Sequence, residues 1–513
     1  MKDDLFSSPT GAAWKRIGTK HRHGIAIPLG AIHTEMSCGC GEYLDLIPLI
    51  DWCAQVGFTV IQLLPLNDSG GDPSPYNAQS MYALHPIYLS LAPFKEIDTA
   101  PFAPLKETSH IAYHALLAQK LSALKEYFIR NRPSTDQGRY PWLRPYALFK
   151  VLKEEFGEVS WTEWPAPYNE PTPERLELWI EERSEAIAFH CFLQLAAIDQ
   201  LTAVRRHADS KGVLLKGDIP FLVSPDSADI WLHQPLFDLR YAAGSPPDVF
   251  TTEGQYWGFP LYNWEAIKAT GYALWHSRLD FASSLYHLYR IDHIIGFFRL
   301  WIIPRGLEAR DGWFSPRTAE ERLSQGRTIL TELASASMML PIGENLGVVP
   351  PDVDEVLEEL GICGTKVFRW ERNYPGDHRF IPSSDYNPIN MTSISTHDSE
   401  PLELWWRDYP QEASDYCKHK GWHYAPNITP EQRRAILYES HHTPTIFHIN
   451  LLQEYLGLVP ELTWDDPERE RINLPGTVLP TNWTYRYRFP LEILTASEAL
   501  RSAIASLNLM PPS

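Results

Sequence analysis

Leu288-Tyr289-Arg290-Ile291-Asp292-His293 reads as a short strand that ends in charge. Alternation along a strand sets Arg290 and Asp292 on one face, and an arginine beside a carboxylate keeps that carboxylate ionised. Two more apolar runs end the same way: Pro341-Ile342-Gly343-Glu344-Asn345, and Ser395-Thr396-His397-Asp398. Outward from these three, short apolar segments, several of them rich in β-branched residues, recur at 24–29, 58–66, 213–223, 288–291, 339–342, 365–370, 392–395 and 445–449. Helical stretches lie between them, which is the pattern of alternating β and α units. Eight such strands predict an α/β fold, a (β/α)8 TIM barrel whose chemistry sits at the carboxyl ends of the strands.

The spacing of the segments is uneven. Residues 67–212 are too many for one crossover and predict an inserted, mainly helical subdomain, with periodic apolar positions at 111–130 and 173–208. A second insertion is expected at about 231–282. Neither has the Gly/Ser-rich composition of a flexible linker, so residues 1–513 are read as one catalytic barrel with both insertions packed on it. No separate carboxyl-terminal β domain is expected after the last strand, and the tail beyond Ser506 is expected to fray.

Composition narrows the function. A net charge of −19 over 513 residues repels phosphate backbones, so nucleic acid is not expected as a partner. No window approaches 18 uncharged apolar residues, so no membrane span is expected, and MKDDLFSSPTGAAWKR lacks the apolar stretch of a signal peptide. Six cysteines are too sparse for a disulfide framework, and the close pair Cys38 and Cys40 has no histidine partners to suggest a metal. Reduced thiols in a cytoplasmic protein are expected, with no metal and no organic cofactor. Aromatic residues make up 12% of the chain and suit sugar stacking as well as a core.

The three charged strand ends then carry the chemistry. Glu344 follows a wholly apolar run, a setting that raises a carboxyl pKa as a general acid requires. Asp292 beside Arg290 is set up as an ionised nucleophile. Singly, each has a plainer reading as a structural ion pair or a helix cap. Together, carboxylates flanking one bond are what glycoside chemistry needs, and a retaining pair stands about 5–5.5 Å apart.

At this point the chain resembles a known family. Arg290-Ile-Asp292-His-Ile-Ile-Gly296-Phe, Gly343-Glu344-Asn-Leu-Gly347 and Ser395-Thr-His397-Asp398 are similar to catalytic motifs of the 4-α-glucanotransferases, or amylomaltases, of glycoside hydrolase family 77. Further matches are His23-Gly24-Ile25, Ser74-Pro75-Tyr76-Asn77, Gly217-Asp218-Ile219-Pro220, Asp226-Ser-Ala-Asp229-Ile-Trp231 and Gly244-Ser-Pro-Pro-Asp248. Gly254-Gln255-Tyr-Trp257-Gly258-Phe-Pro-Leu-Tyr262, Ile472-Asn473-Leu-Pro475-Gly476-Thr477 and Asn482-Trp483 continue the series, so the resemblance runs from about residue 11 to 490.

The resemblance implies a retaining transfer of α-1,4-glucan segments from a donor chain to the 4-hydroxyl of an acceptor glucan. It implies Asp292 as nucleophile, Glu344 as general acid and base, and Asp398 as transition-state stabiliser with His397, while Arg290 positions Asp292. It further implies Tyr76 stacking at the sugar beside the nucleophile, with Ser74, Asp218, Gln255, Trp257 and Asn473 lining neighbouring subsites. Two positions depart from the family pattern: Phe259 stands where Asn is common, and Ser399 where Asn usually follows the His-Asp pair. An α-amylase-like hydrolase and a non-catalytic glycan-binding protein are the rival readings. The Asn473 and Gln255 motifs speak against the first, and the intact carboxylate trio against the second.

Overall fold

The computed structural model describes residues 2–247, 252–347, 349–374 and 376–508. Eight parallel strands form its centre: β1 (Arg22–Ile27), β2 (Val60–Leu63), β3 (Leu214–Ile219), β4 (Leu288–Ile291), β5 (Leu340–Gly343), β6 (Gly364–Val367), β7 (Asn390–Ser393) and β8 (Phe447–Leu451). Their order is β5-β4-β3-β2-β1-β8-β7-β6. The ring closes where Ile342 bridges Cys363 and the Gly343 N–H donates to the Cys363 carbonyl at 2.7 Å. All eight segments read from the sequence therefore lie in the barrel, and β4 has both its ends where the sequence puts them. The runs at 58–66 and 213–223 are only partly strand. Pro65 and Pro220 follow within each, and the apolar residues around them leave the barrel as buried loops.

Outside the barrel, the β2–β3 connection carries helices Tyr113–Asn131, Leu143–Glu155, Pro173–Glu182 and Ser184–Lys211. The last packs on helix Leu46–Val56 and on β3, so it serves as the barrel's own crossover helix. It is long and apolar enough to cross a membrane, yet 72% of its most apolar window is buried inside the protein. The β6–β7 connection differs from the simple repeat: among the described residues it holds only the single turns Phe368–Trp370 and Ser383–Asp385 and no α-helix.

Residues 231–282 contain strand as well as helix. Tyr241–Ser245 pairs antiparallel with Gln255–Tyr256 and with Leu300–Pro304, which pairs in turn with Trp313–Ser315. This small sheet, absent from the sequence reading, is built jointly from the chain before and after β4. Its strands are too short for their alternation to register as a pattern. The expected fraying of the last residues falls on 509–513, outside the described residues, and helix Glu498–Leu507 runs almost to that point.

The amino-terminal end of the barrel is plugged. Trp14 has no exposed surface and donates from Nε1 to the Gly361 carbonyl at 2.7 Å, while Thr10 Oγ1 donates to the Leu360 carbonyl. Deleting a buried ring of this size typically costs about 3–5 kcal/mol.

Beside the plug, where β1 and β8 begin, four imidazoles stack in a column. His441 lies 4.3 Å from His23, His23 4.9 Å from His448, and His448 5.5 Å from His21. Burial, with mutual repulsion, pushes His23 down to about 4 and His448 to about 3, and drives His441 well below its ordinary value. The ring nitrogens in reach meet neutral partners, the Tyr455 hydroxyl at His441 and the Thr443 carbonyl at His448. The folded state thus binds these protons less readily than the unfolded chain. Stability from the column is complete above the unfolded value of about 6.5 and is lost as pH falls from there towards about 4 and then 3. Thermal unfolding should show a midpoint that drops by several degrees between pH 7 and pH 5, and His448→Gln should flatten that dependence.

Candidate active site

Strand register builds the site from the floor up. Asp218 of β3 and Arg290 of β4 are paired residues in adjacent strands, and Ile342 of β5 stands beside Arg290 on its other side. The Arg290 guanidinium is 8% exposed and donates from Nη1 to both oxygens of Asp218 at 2.9 Å. The same nitrogen meets Asp292 Oδ1 at 2.9 Å, and Nη2 meets Glu344 Oε2 at 3.3 Å. One cation therefore spans three carboxyls from the ends of three neighbouring strands. Their field raises the Arg290 pKa well above its usual value, against a burial that would lower it. Burial raises Asp218 despite the arginine.

Below this floor, Lys216 crosses the barrel interior from β3, with Nζ 2.7 Å from Gln62 Oε1 and 3.1 Å from Met391 Sδ. Burial pulls its pKa down to about 7.

A local backbone device orients Glu344. His293 has φ of 43°, the left-handed region that costs a residue with a side chain about 1–3 kcal/mol. This turn aims the His293 N–H at Glu344 Oε2, 2.7 Å away. Gly296, in the next turn, leaves room for the Phe221 ring, which lies 2.5 Å from where a β-carbon would stand. Burial, supported by the Asp292 charge and opposed by Arg290, pushes the Glu344 carboxyl up to about 7. The carboxyl thus keeps its proton well above the usual carboxylate range, and 24% of its side chain opens to the cleft, as for Asp292.

Opposite these stand His397 and Asp398, in the loop after β7. His397 Nε2 is 3.1 Å from Asp398 Oδ2, and Asn473 Nδ2 donates to Asp398 Oδ1 at 2.7 Å. Burial alone would raise Asp398; His397 and Asn473 outweigh it and hold the carboxyl down at about 2. Burial works against a charge on His397 too, and Asp398 overcomes it, raising the imidazole pKa. Tyr76 links the two sides: its hydroxyl donates to Asp218 Oδ2 at 2.8 Å and lies 2.9 Å from His397 Nε2. With the one hydroxyl proton of Tyr76 directed at Asp218, that imidazole nitrogen is the donor. The Tyr76 ring stacks on His397 at 5.4 Å and leans on Trp483 at 5.5 Å.

The remaining residues singled out in the sequence surround this centre. Ser74 sits in the turn before Tyr76, held by Asp72, which accepts from the Ser74 N–H and from Asn77 Nδ2, both at 2.8 Å. Gln255 and Trp257 come from the small antiparallel sheet. Trp257 Nε1 donates to Gln255 Oε1 at 2.9 Å, and its ring meets His293 edge to face at 5.1 Å. Asp248 of the Gly244–Asp248 motif lies outside the described residues. Ser399, the departure after His-Asp, closes the turn: its Oγ accepts from the Thr396 N–H at 2.9 Å.

Three functional neighbours escaped the sequence reading as site residues: Asp72, Trp483 and Glu454. Trp483 stood within a quoted motif but has φ of 64° and packs on Tyr76 and His397. Glu454, buried after β8, accepts from Ser395 Oγ and from the Leu402 N–H at 2.9 Å, tying together both ends of the loop that carries Asp398. Its only sequence signal is a carboxylate within an apolar helix start. No group of three or more His, Cys, Asp or Glu side chains placed to hold a metal occurs among the described residues.

Comparison with known proteins places the chain in a family. The family profile of 4-alpha-glucanotransferases, glycoside hydrolase family 77, matches residues 27–492. The 4-alpha-glucanotransferase of Chlamydia muridarum is 41% identical, with 98% of each chain covered. Among solved structures, amylomaltase from Streptococcus agalactiae in complex with acarbose superposes with a TM-score of 0.76 at 23% identity, over 95% of this chain and 99% of that one. Amylomaltase from Corynebacterium glutamicum gives 0.77 at 21%, over 96% and 76%. The chain belongs to the 4-alpha-glucanotransferase family and is a glucan-transferring enzyme of the (β/α)8 class.

Glu454→Ala would strand a buried hydroxyl and a buried N–H, at about 1–3 kcal/mol each. Denaturant unfolding should register that loss, and transfer activity should fall with it because the Asp398 loop loses its base.

Proposed function

We propose that the protein moves α-1,4-glucan segments between chains by a retaining double displacement, with Asp292 as nucleophile and Glu344 as acid and then base. The observation that carries this assignment is the single Arg290 guanidinium in contact with both carboxyls. It keeps the pair close, as a retaining pair requires, while burial pushes the Glu344 carboxyl up to about 7, against the arginine.

In the first step an Asp292 oxygen bonds to the anomeric carbon, the bond from that carbon to the glycosidic oxygen breaks, and the Glu344 proton passes to the departing 4-oxygen. In the second step Glu344 takes the proton of the acceptor's 4-hydroxyl as that oxygen displaces Asp292, restoring both carboxyls. Asp398, an ionised carboxylate fixed by His397 and Asn473, stabilises the positive charge that develops on the ring.

Transfer must outcompete water. Holding an acceptor in an attack-ready position supplies a large effective concentration; we assign that role to the neighbouring subsites of Ser74, Gln255 and Trp257, and the sugar beside the nucleophile to Tyr76. We read the whole chain as one catalytic unit, because the centre draws on residues from Tyr76 to Asn473. Six buried free thiols support residence in a reducing compartment such as the cytoplasm.

Maltotriose incubated with the enzyme should yield glucose together with a ladder of longer glucans; shortening alone would point to a hydrolase and overturn the proposal. Asp292→Asn should lower transfer by several orders of magnitude and leave the fold intact by circular dichroism. Because Glu344 must carry its proton in the free enzyme, kcat/KM should decline as pH rises through about 7.

A further inference from the structure

The loop that carries Asn473 has no strand or helix of its own between Glu470 and Gly476; the Trp483 N–H holds the Ile472 carbonyl at 2.9 Å on one side, and side chains must fix the loop on the side of Asp398. Two contacts do so in an antiparallel register against the loop after β7. Asn473 meets Asp398, and two residues back Arg471 pairs with Glu400, two residues on from Asp398. Glu400 is the anchor of the outer contact. Its other oxygen accepts from Arg369 Nη1 at 2.5 Å, and its side chain is only 12% exposed. Arg369, 8% exposed, extends from the end of β6, lies 4.8 Å over the Tyr409 ring, and has Glu412 as a second partner at 3.5 Å. Arg471 has far less to fall back on, with Glu468 at 3.9 Å. Burial would raise the Glu400 carboxyl, and the paired guanidinium brings it below its ordinary value, so it is held as an anion between two cations.

We propose that Glu400 is a positioning residue for the transfer reaction: by clasping Arg369 and Arg471 it holds Asn473 against Asp398. The inference rests on the catalytic reading above. Without the carboxylate, two poorly solvated guanidiniums face each other with no anion between them and repel. Arg369 can turn to Glu412 and its aromatic neighbours, whereas Arg471 must move outward towards Glu468 and take the backbone of Asn473 with it. Asp398 then loses the hydrogen bond to Oδ1 that fixes its orientation towards the developing charge. An interaction needed chiefly in the transition state appears in kcat and in kcat/KM alike, with KM little changed.

The test is a double-mutant cycle on maltotriose transfer with Glu400→Ala, Asn473→Ala and the pair, each checked by thermal unfolding. Glu400→Ala should lower kcat on the order of a hundredfold, the cost of a misplaced catalytic group, with KM little changed. Added to Asn473→Ala it should cause no further loss, because both act through one contact. Losses that multiply, or a lower melting temperature with kcat intact, would overturn the proposal. If Glu400→Ala does not fold, the same cycle with Glu400→Gln decides, since the amide keeps the shape and removes the charge. A wild-type enzyme without transfer would instead defeat the catalytic reading, an outcome distinct from either of these.

Discussion

One buried cation organises this molecule. Arg290 sits in the barrel wall with Asp218 paired on the adjacent strand, Asp292 two residues ahead just past the end of its own strand, and Glu344 just past the end of the next. A guanidinium taken out of water demands carboxylates, and carboxylates taken out of water demand a guanidinium. None of the four could be buried there alone. The three acids also receive unequal shares: Asp218 takes a bidentate pair, Asp292 one short contact and Glu344 a longer one. Glu344, with the longest of these contacts, is the carboxyl that burial pushes up to about 7, a setting suited to an acid.

The second half of the site is built on a different principle. The Asp398 carboxylate is held by His397 and Asn473, and it stands in a loop rather than at a strand end. Its rigidity is borrowed from Glu454 beneath, the Ser399 turn within and the Glu400 bracket alongside. Tyr76 joins the halves, giving its proton to the Asp218 side and accepting from the His397 side. A displacement of either half is therefore felt by the other through one hydroxyl.

Much of this was legible before any coordinates. The eight strands announced themselves because a barrel strand buried on both faces is a short apolar run whatever its neighbours are, and Asp292, Glu344 and Asp398 stood out because charge at the end of such a run is costly unless used. The rest is hidden for physical reasons. The left-handed turn at His293 is a backbone event at an ordinary residue. Lys216 reads as an interruption in an apolar run and finds its partners on strands far away in sequence. The pairing of Arg471 with Glu400 joins loops that only barrel closure brings together. The strands that present Gln255 and Trp257 are two to five residues long, too short for alternation to distinguish them from loop.

The pairing of β1 with β8 has a consequence for how the protein comes into being. Arg22 lies against Phe447 and His23 against His448, so the first strand to leave the ribosome waits for the last before the cylinder can shut. Contacts this distant along the chain are slow to form, and until they do, the strand edges and the apolar lining stay open to wrong partners. Asn473, Trp483 and Glu454 all follow β8, so the partial chain cannot assemble the Asp398 half of the centre. Pairing of the barrel's first strand with its eighth thus brings the segment that holds Asp398 up to the strands laid down long before it.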